Sequence, residues 1–132
     1  MYWRWPTYKS IQKLASLLGL PYSEFMQDWE WEVADPNRIQ EYFGLYDQGH
    51  MSDDDKFTLM ETIIQAHEDK YVNTGLLPKS WQQVKKRILS NPKLHVKSVM
   101  YWACSNEFMG PQFAFKVSKQ MREIQSKLGI RL

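Results

Sequence analysis

Apolar residues recur at helical spacing between residues 52 and 72 and predict the longest helix of the chain. The residues on this apolar face are Leu59, Met60, Ile63, Ile64, His67 and Tyr71. Ser52 is a typical N-cap residue, and the three aspartates after it suit the positive end of a helix dipole. The face is wide enough for several neighbouring helices to pack on it. We therefore expect a central helix that ends near Gly75.

Three shorter helices are predicted before the central helix. The first covers residues 7–18, begins with a capping threonine and stops at Gly19. The third begins at Asp35-Pro36, where a capping side chain precedes a proline at the first helical position. Its buried stripe consists of Ile39, Tyr42, Phe43 and Tyr46. Residues 1–6 hold three aromatic side chains, which we expect to lie on the core.

The second of these helices, over residues 23–34, carries two competing patterns. Phe25, Trp29 and Val33 recur every four residues and would face the core. Trp31 lies off that stripe between two glutamates, so a helix exposes its indole in an acidic setting. Either another element covers this indole or it anchors an interface, a role in which tryptophan is enriched. The same residues alternate apolar and acidic, so a strand is the alternative to the predicted helix.

Three further helices are predicted after the central one. The first covers residues 78–90, and the second begins at Asn91-Pro92. The last helix stops at Gly129, and residues 105–111 form a loop before it. Their inward-facing residues are Trp81, Val84 and Ile88, then Val96, Val99, Met100 and Ala103, and finally Phe113, Val117, Met121, Ile124 and Leu128. No repeat or linker divides the chain. The sequence therefore predicts an all-α fold, a single-domain helical bundle of about six or seven helices over residues 1–132.

Length and composition favour a globular protein. The 132 residues are 43% hydrophobic, enough for a core that needs no metal or disulfide. No stretch approaches the roughly 20 apolar residues that cross a bilayer, and the N-terminus lacks the apolar run of a signal peptide. We therefore expect no membrane association and a cytoplasmic location. Cys104 is the only cysteine of the chain, and we expect a buried free thiol.

The sequence contains no recognisable catalytic or metal-binding constellation. His50, His67 and His95 do not form the paired spacings that zinc needs. The aspartates at 53–55 are consecutive, whereas a calcium loop alternates its ligands around a sharp glycine turn. We therefore predict no metal, no small-molecule cofactor and no catalytic residue. A nucleophilic pair of Cys104 with His67 or His95 is the enzymatic alternative that the sequence leaves open.

Charge is distributed very unevenly along the chain. The whole protein has a net charge of +2, but residues 24–61 contain eleven acidic residues against two basic ones, a net −9. Residues 70–131 contain twelve basic residues against two acidic ones, a net +10. Such asymmetry concerns partners and association rates rather than the fold. Either the two segments neutralise each other within the fold, or the surface has an acidic and a basic pole.

Two binding functions fit these charged segments. An acidic surface with projecting aromatic side chains can cover a basic site on another protein, because complementary charge speeds association and selects the partner. The candidate contacts are Glu30, Trp31, Glu32, Glu41, Tyr46, Asp47, Asp53, Asp54 and Asp55. The basic segment could instead neutralise the phosphates of a nucleic acid. No zinc finger, RNP motif or helix-turn-helix glycine turn accompanies these cations, so nucleic acid is the second choice, and plain solvated faces remain the alternative to both.

Residues 29–69 resemble a class of small bacterial proteins in which a Trp-rich acidic segment and an Asp-rich helix start precede a KFxLMexII helix. The residues that carry the resemblance are Trp29, Trp31, Asp35, Arg38, Ile39, Tyr46, Ser52, Asp54, Lys56, Phe57, Leu59, Met60 and Ile63. This class consists of immunity proteins of toxin–immunity pairs, including contact-dependent growth inhibition systems. The resemblance implies a cognate toxin domain as the partner, often a basic nuclease, and no catalysis by the chain itself.

Overall fold

The computed structural model of the chain describes residues 4–104 and 114–129. Over these residues it contains seven α-helices and one 3-10 turn, with no strand. The helices are α1 (Tyr8–Leu18), α2 (Trp29–Glu32), α3 (Ile39–Tyr46), α4 (Asp53–Thr74), α5 (Trp81–Ser90), α6 (Pro92–Ala103) and α7 (Ser118–Leu128), and the 3-10 turn is Pro36–Arg38. The predicted all-α fold is confirmed. None of these described helices combines the length and the apolar character needed to cross a membrane.

The chain divides into two compact units. The N-terminal unit, Arg4–Asp69, holds α1 to α3 and most of α4. The C-terminal unit, Lys70–Leu132, holds the end of α4 and the helices α5 to α7. The boundary between the units falls inside α4, the longest of the described helices.

Capping residues set both ends of α1. The Thr7 hydroxyl accepts a hydrogen bond from the Ser10 amide at 3.2 Å, which satisfies an amide that has no partner within the helix. Gly19 follows the helix with φ of 64°, a left-handed conformation that glycine adopts without steric cost. Leu14 and Leu18 are buried. The first helix therefore begins and ends where the sequence predicts.

The second predicted helix, residues 23–34, is wrong over most of its length, because only Trp29–Glu32 is helical. Residues 23–26 form a turn in which the Ser23 hydroxyl accepts from the Phe25 amide at 3.2 Å and the Ser23 carbonyl accepts from the Met26 amide at 3.0 Å. Serine competes for backbone amides in this way, and the local bonds replace the first turn of a helix. Trp29 is buried as predicted, but Phe25 is 84% exposed. The strand alternative is not observed either.

The third helix begins with the predicted Asp-Pro cap, but its first turn is a 3-10 turn and not an α-helical one. The Asp35 side chain accepts from the Asn37 amide at 2.9 Å, and Pro36 opens a 3-10 turn before the α-helix starts at Ile39. The Tyr42 hydroxyl accepts from the Asp35 amide at 3.1 Å and so fixes this turn against α3. The predicted stripe is buried and consists of Ile39, Tyr42, Phe43 and Tyr46.

The long helix α4 is buried on nearly all sides along its middle. Between Phe57 and Glu68 every residue except Gln65 is buried, including polar ones. The Thr62 hydroxyl donates to the Glu30 carbonyl at 2.6 Å, so a polar group on this helix is satisfied within the N-terminal unit. The sequence predicts one apolar face, whereas the structure surrounds the helix, as is typical of a central helix.

The helices α5, α6 and α7 pack on one another in the C-terminal unit. The Ser118 hydroxyl donates to the Trp102 carbonyl at 2.7 Å, and the Arg122 Nε donates to the Ala103 carbonyl at the same distance. These bonds satisfy carbonyls at the end of α6 that have no partner within that helix. The α5 residues predicted to face inward, Trp81, Val84 and Ile88, are buried.

The inward faces of the last two helices differ in part from the prediction. In α6, Val99 and Ala103 are buried, but Val96 and Met100 are partly exposed. The buried positions that the sequence pattern missed are Leu94, His95, Lys97, Ser98 and Trp102. In α7, Val117, Met121 and Ile124 are buried and Leu128 is partly exposed. The predicted Phe113 and the predicted loop at 105–111 lie outside the described residues.

Candidate partner-binding surface

The uneven charge of the sequence coincides with the division into units. The N-terminal unit, Arg4–Asp69, contains thirteen acidic and five basic residues, a net charge of −8. The C-terminal unit, Lys70–Leu132, contains twelve basic and two acidic residues, a net +10. Each unit therefore carries charge of one dominant sign, and the acidic residues belong to one compact structure rather than to a stretch of sequence alone.

The three aspartates at the start of α4 have different surroundings. Asp55 is 3% exposed and accepts a hydrogen bond from the Ser52 amide at 3.0 Å, while the Ser52 hydroxyl accepts from the Asp55 amide at 3.1 Å. The same carboxylate accepts from Lys13 Nζ at 2.6 Å and from the Ser10 hydroxyl at 2.7 Å. Asp55 is thus a structural residue that joins α1 to α4. Its predicted place among the partner contacts is not supported by this burial.

The environment of Asp55 favours its ionised form. Burial by itself raises the pKa of this carboxyl group, but the hydrogen bonds from Lys13, Ser10 and the capping serine stabilise the charged form more strongly. The net result is a pKa below the ordinary value for aspartate. The carboxylate therefore carries its charge at neutral pH inside the fold, where Lys13 balances it.

The other two aspartates face solvent. The side chains of Asp53 and Asp54 are 68% and 48% exposed, and both lie beside the Arg4 guanidinium, with N–O distances of 3.8 and 2.5 Å. Pairs this exposed add little stability, because water and salt screen them. They do fasten the N-terminal arm to the start of α4. They also leave carboxylate surface that another protein can reach.

The remaining predicted contacts fall into two groups. Glu30 and Tyr46 are buried, at 5% exposure each, and Trp31 is partly buried, so these three contribute little open surface. The exposed members are Glu32, Glu41 and Asp47, in addition to Asp53. The structure thus confines the candidate surface to the exposed acids, and whether they bind a partner stays a prediction.

Glu41 is already engaged within the chain. Its carboxylate accepts from Arg38 at 2.6 and 2.8 Å, and Arg38 also donates to the Leu18 carbonyl at 2.7 Å. The hydrogen bond from Arg38 lowers the pKa of Glu41. A partner that used Glu41 would therefore compete with, or share, this bidentate pair.

The aromatic side chains that are exposed in this unit are not the ones that the sequence predicts, since Trp31 is partly buried and Tyr46 is buried. Trp5 is 67% exposed, although the N-terminal aromatics were expected to lie on the core, and Tyr8 is 56% exposed. Phe25 is the most exposed of the three, because it lies in the turn that Ser23 closes and not in the predicted helix. Ser23 is the one sequence signal for that turn, and it is equally typical of a helix N-cap.

Cys104 and His95 do not form the nucleophilic pair that the sequence leaves open. Cys104 and His95 are nine residues apart along α6, which separates them by about 13 Å along the helix axis. His67 is buried in the N-terminal unit and its Nδ1 donates to the Ile63 carbonyl at 2.7 Å. Cys104 is partly exposed rather than buried. Among the described residues, no group of three or more His, Cys, Asp or Glu side chains is placed to hold a metal ion.

Comparison of the chain with known protein families, with curated proteins and with solved structures finds no match. The resemblance to immunity proteins therefore stays a prediction, and the functional argument depends on the surface itself.

Proposed function

We propose that this protein is a cytoplasmic immunity protein that binds a cognate toxin, a basic nuclease domain, and neutralises it by covering it with the acidic N-terminal unit. The observation that carries the proposal is the net charge of −8 within one compact unit. The resemblance of residues 29–69 to immunity proteins supports the same role. Neutralisation by binding requires no catalytic residue in the chain.

Complementary charge explains how such a protein would find its target. A nuclease binds the phosphates of its substrate with Lys and Arg side chains, and an acidic protein surface attracts the same side chains. Long-range attraction of this kind raises the association rate and disfavours partners of the wrong charge. The acids available for it in the N-terminal unit are the exposed ones, Glu24, Asp28, Glu32, Glu41, Asp47 and Asp53, with Asp54 half-exposed.

The first test is co-purification of the tagged protein with its partner from the native host. We expect one small basic protein in a stable complex. That partner, once purified, should cleave nucleic acid, and stoichiometric addition of the immunity protein should stop the cleavage. A partner that is acidic, or whose activity continues in the complex, would contradict the proposal.

The second test removes charge at the start of α4 but keeps side-chain oxygens that can still accept hydrogen bonds from Arg4. The double substitution Asp53→Asn and Asp54→Asn keeps the side-chain shapes, and Asp55 is left intact because of its structural bonds. We expect the association rate with the toxin to fall about tenfold, and the difference from wild type to shrink as salt is added. The control carries the same charge change elsewhere, as Asp69→Asn and Glu123→Gln. Equal effects of the two double variants would mean that the interface does not include the start of α4.

A nucleic-acid-binding function of the C-terminal unit is the second candidate. The observation that favours it is the net +10 of that unit, whose exposed cations among the described residues are Lys70, Lys79, Lys86, Lys93, Lys116, Lys119, Arg122 and Lys127. It predicts binding of labelled DNA or RNA that weakens steeply with salt, because bound phosphates release counterions. Absence of binding at low salt would remove this candidate.

A further inference from the structure

The N-terminal unit exposes three aromatic side chains close to its acidic residues. Phe25 is 84% exposed, Trp5 67% and Tyr8 56%. A scattered apolar residue on a surface needs no explanation, but neighbouring exposed aromatics are typical of a binding site. Their positions along the chain and in space therefore decide whether they form one surface.

Tyr8 connects these side chains into one stretch of surface. Its ring meets the ring of Tyr22 edge to face, with centroids 5.7 Å apart and planes at 84°. Phe25 follows Tyr22 by three residues and Trp5 precedes Tyr8 by three, so each is joined by a short stretch of chain to one ring of this pair. The three exposed residues therefore belong to the same region of the N-terminal unit, around the contact of Tyr8 with Tyr22. We call Trp5, Tyr8 and Phe25 the aromatic surface.

The backbone on both sides of the aromatic surface is held in place. Phe25 sits in the turn that Ser23 closes with two hydrogen bonds. Trp5 follows Arg4, which the aspartates at the start of α4 hold, and precedes Pro6, whose ring fixes its own backbone angle. Aromatic side chains have only two rotatable χ angles, so on a fixed backbone they lose little conformational freedom when a partner covers them. Such preorganisation favours anchors of an interface.

We propose that Trp5, Tyr8 and Phe25 anchor the partner protein, and that they do so by packing against Lys and Arg side chains of a basic surface. This inference rests on the proposed function and names the residues that make the contact. The charge of the unit favours a basic partner. Phe25 lies between two exposed acids in the chain, Glu24 and Asp28, and the unit has a net charge of −8. A Lys or Arg side chain can place its stem on an aromatic face while a neighbouring carboxylate balances its charge.

The test measures the affinity of the purified partner for single variants by calorimetry. We expect Phe25→Ala and Trp5→Ala each to weaken binding about tenfold or more, as is usual for aromatic anchors. Leu17→Ala is the matched control in the same unit, because Leu17 is 50% exposed and lies nine residues after Tyr8, about 180° around α1. Leu76→Ala, at 73% exposure, is the control in the C-terminal unit. Both controls should change the affinity less than about twofold.

The outcomes separate this inference from the proposed function. Unchanged affinity of both aromatic variants, together with weaker binding by the Asp53 and Asp54 double variant, would overturn the aromatic anchor and leave the immunity function standing. Failure of the wild type to bind any basic protein would overturn both. If sedimentation shows a wild-type dimer that Phe25→Ala dissociates, the occupant is a second copy of the chain and the basic partner is wrong.

Discussion

Ser52 and Asp55 exchange two hydrogen bonds at the first turn of α4, at 3.1 and 3.0 Å. This reciprocal arrangement is a capping box in which aspartate takes the place of the usual glutamate. Because Asp55 also accepts from Lys13 and Ser10, one carboxylate both starts α4 and ties it to α1. A run of three aspartates therefore contains one structural residue beside two that face solvent.

The first prediction concerns the stability that this carboxylate supplies. Asp55→Ala removes a cap and leaves Lys13 without its buried partner, so we expect the free energy of unfolding to fall by about 2 kcal/mol. Asp53→Ala, in the same helical turn but exposed, should change it by less than about 0.5 kcal/mol. Urea unfolding followed by circular dichroism measures both. Equal midpoints for the two variants would contradict the structural role of Asp55.

The second prediction is the pH dependence of the same contribution. The pKa of Asp55 is lowered in the folded protein, so the folded state favours the ionised carboxylate. The stabilisation is present above the ordinary aspartate pKa of about 3.9 and disappears as the pH falls through the lower folded value. The stability difference between wild type and Asp55→Asn should therefore be constant near neutral pH and shrink below about pH 4. A difference that keeps its full neutral-pH size as the pH is lowered well below 4 would show that hydrogen-bond geometry, and not charge, is responsible.

The third prediction distinguishes a packed from an exposed aromatic residue. Trp31 is partly buried, and we expect Trp31→Ala to lower the free energy of unfolding by about 2 kcal/mol, since it removes apolar area from the fold. Phe25, at 84% exposure, should tolerate replacement by alanine with a change under about 0.5 kcal/mol. Thermal or urea unfolding of the two variants gives the answer. Unchanged stability of Trp31→Ala would contradict a packing role for the indole.

The fourth prediction concerns the end of α6. Cys104 has φ of 49°, a left-handed conformation that costs a residue with a side chain about 1 kcal/mol. Cys104→Gly should therefore raise the stability by about 0.5–1 kcal/mol, whereas Cys104→Ala, which also removes the thiol, should not. Denaturant midpoints of the two variants test this. A loss of stability in both would mean that thiol contacts outweigh the backbone strain.

Much of the helical order follows from local signals. Thr7 and Gly19 bound α1 in the sequence and in the structure, because a cap satisfies nearby backbone groups and needs no tertiary partner. The prediction of a helix start at Ser23 was wrong, because a serine side chain can either cap a helix or close a turn. The Trp29 indole also donates a hydrogen bond to the Pro21 carbonyl at 2.7 Å, across the segment that contains this turn. The periodicity of the sequence does not predict such a bond.

The sequence by itself determined the all-α class, the central helix and the opposed charges of its two halves, because periodicity, capping and composition are local properties. Only the tertiary structure decided which charged and aromatic residues are available to a partner. Three consecutive aspartates look alike in sequence, yet α1 brings Lys13 and Ser10 to Asp55 alone. Phe25 looks like a core residue, yet its turn places it in solvent. Burial depends on what distant segments bring to a side chain, and that information is not contained in its neighbours along the chain.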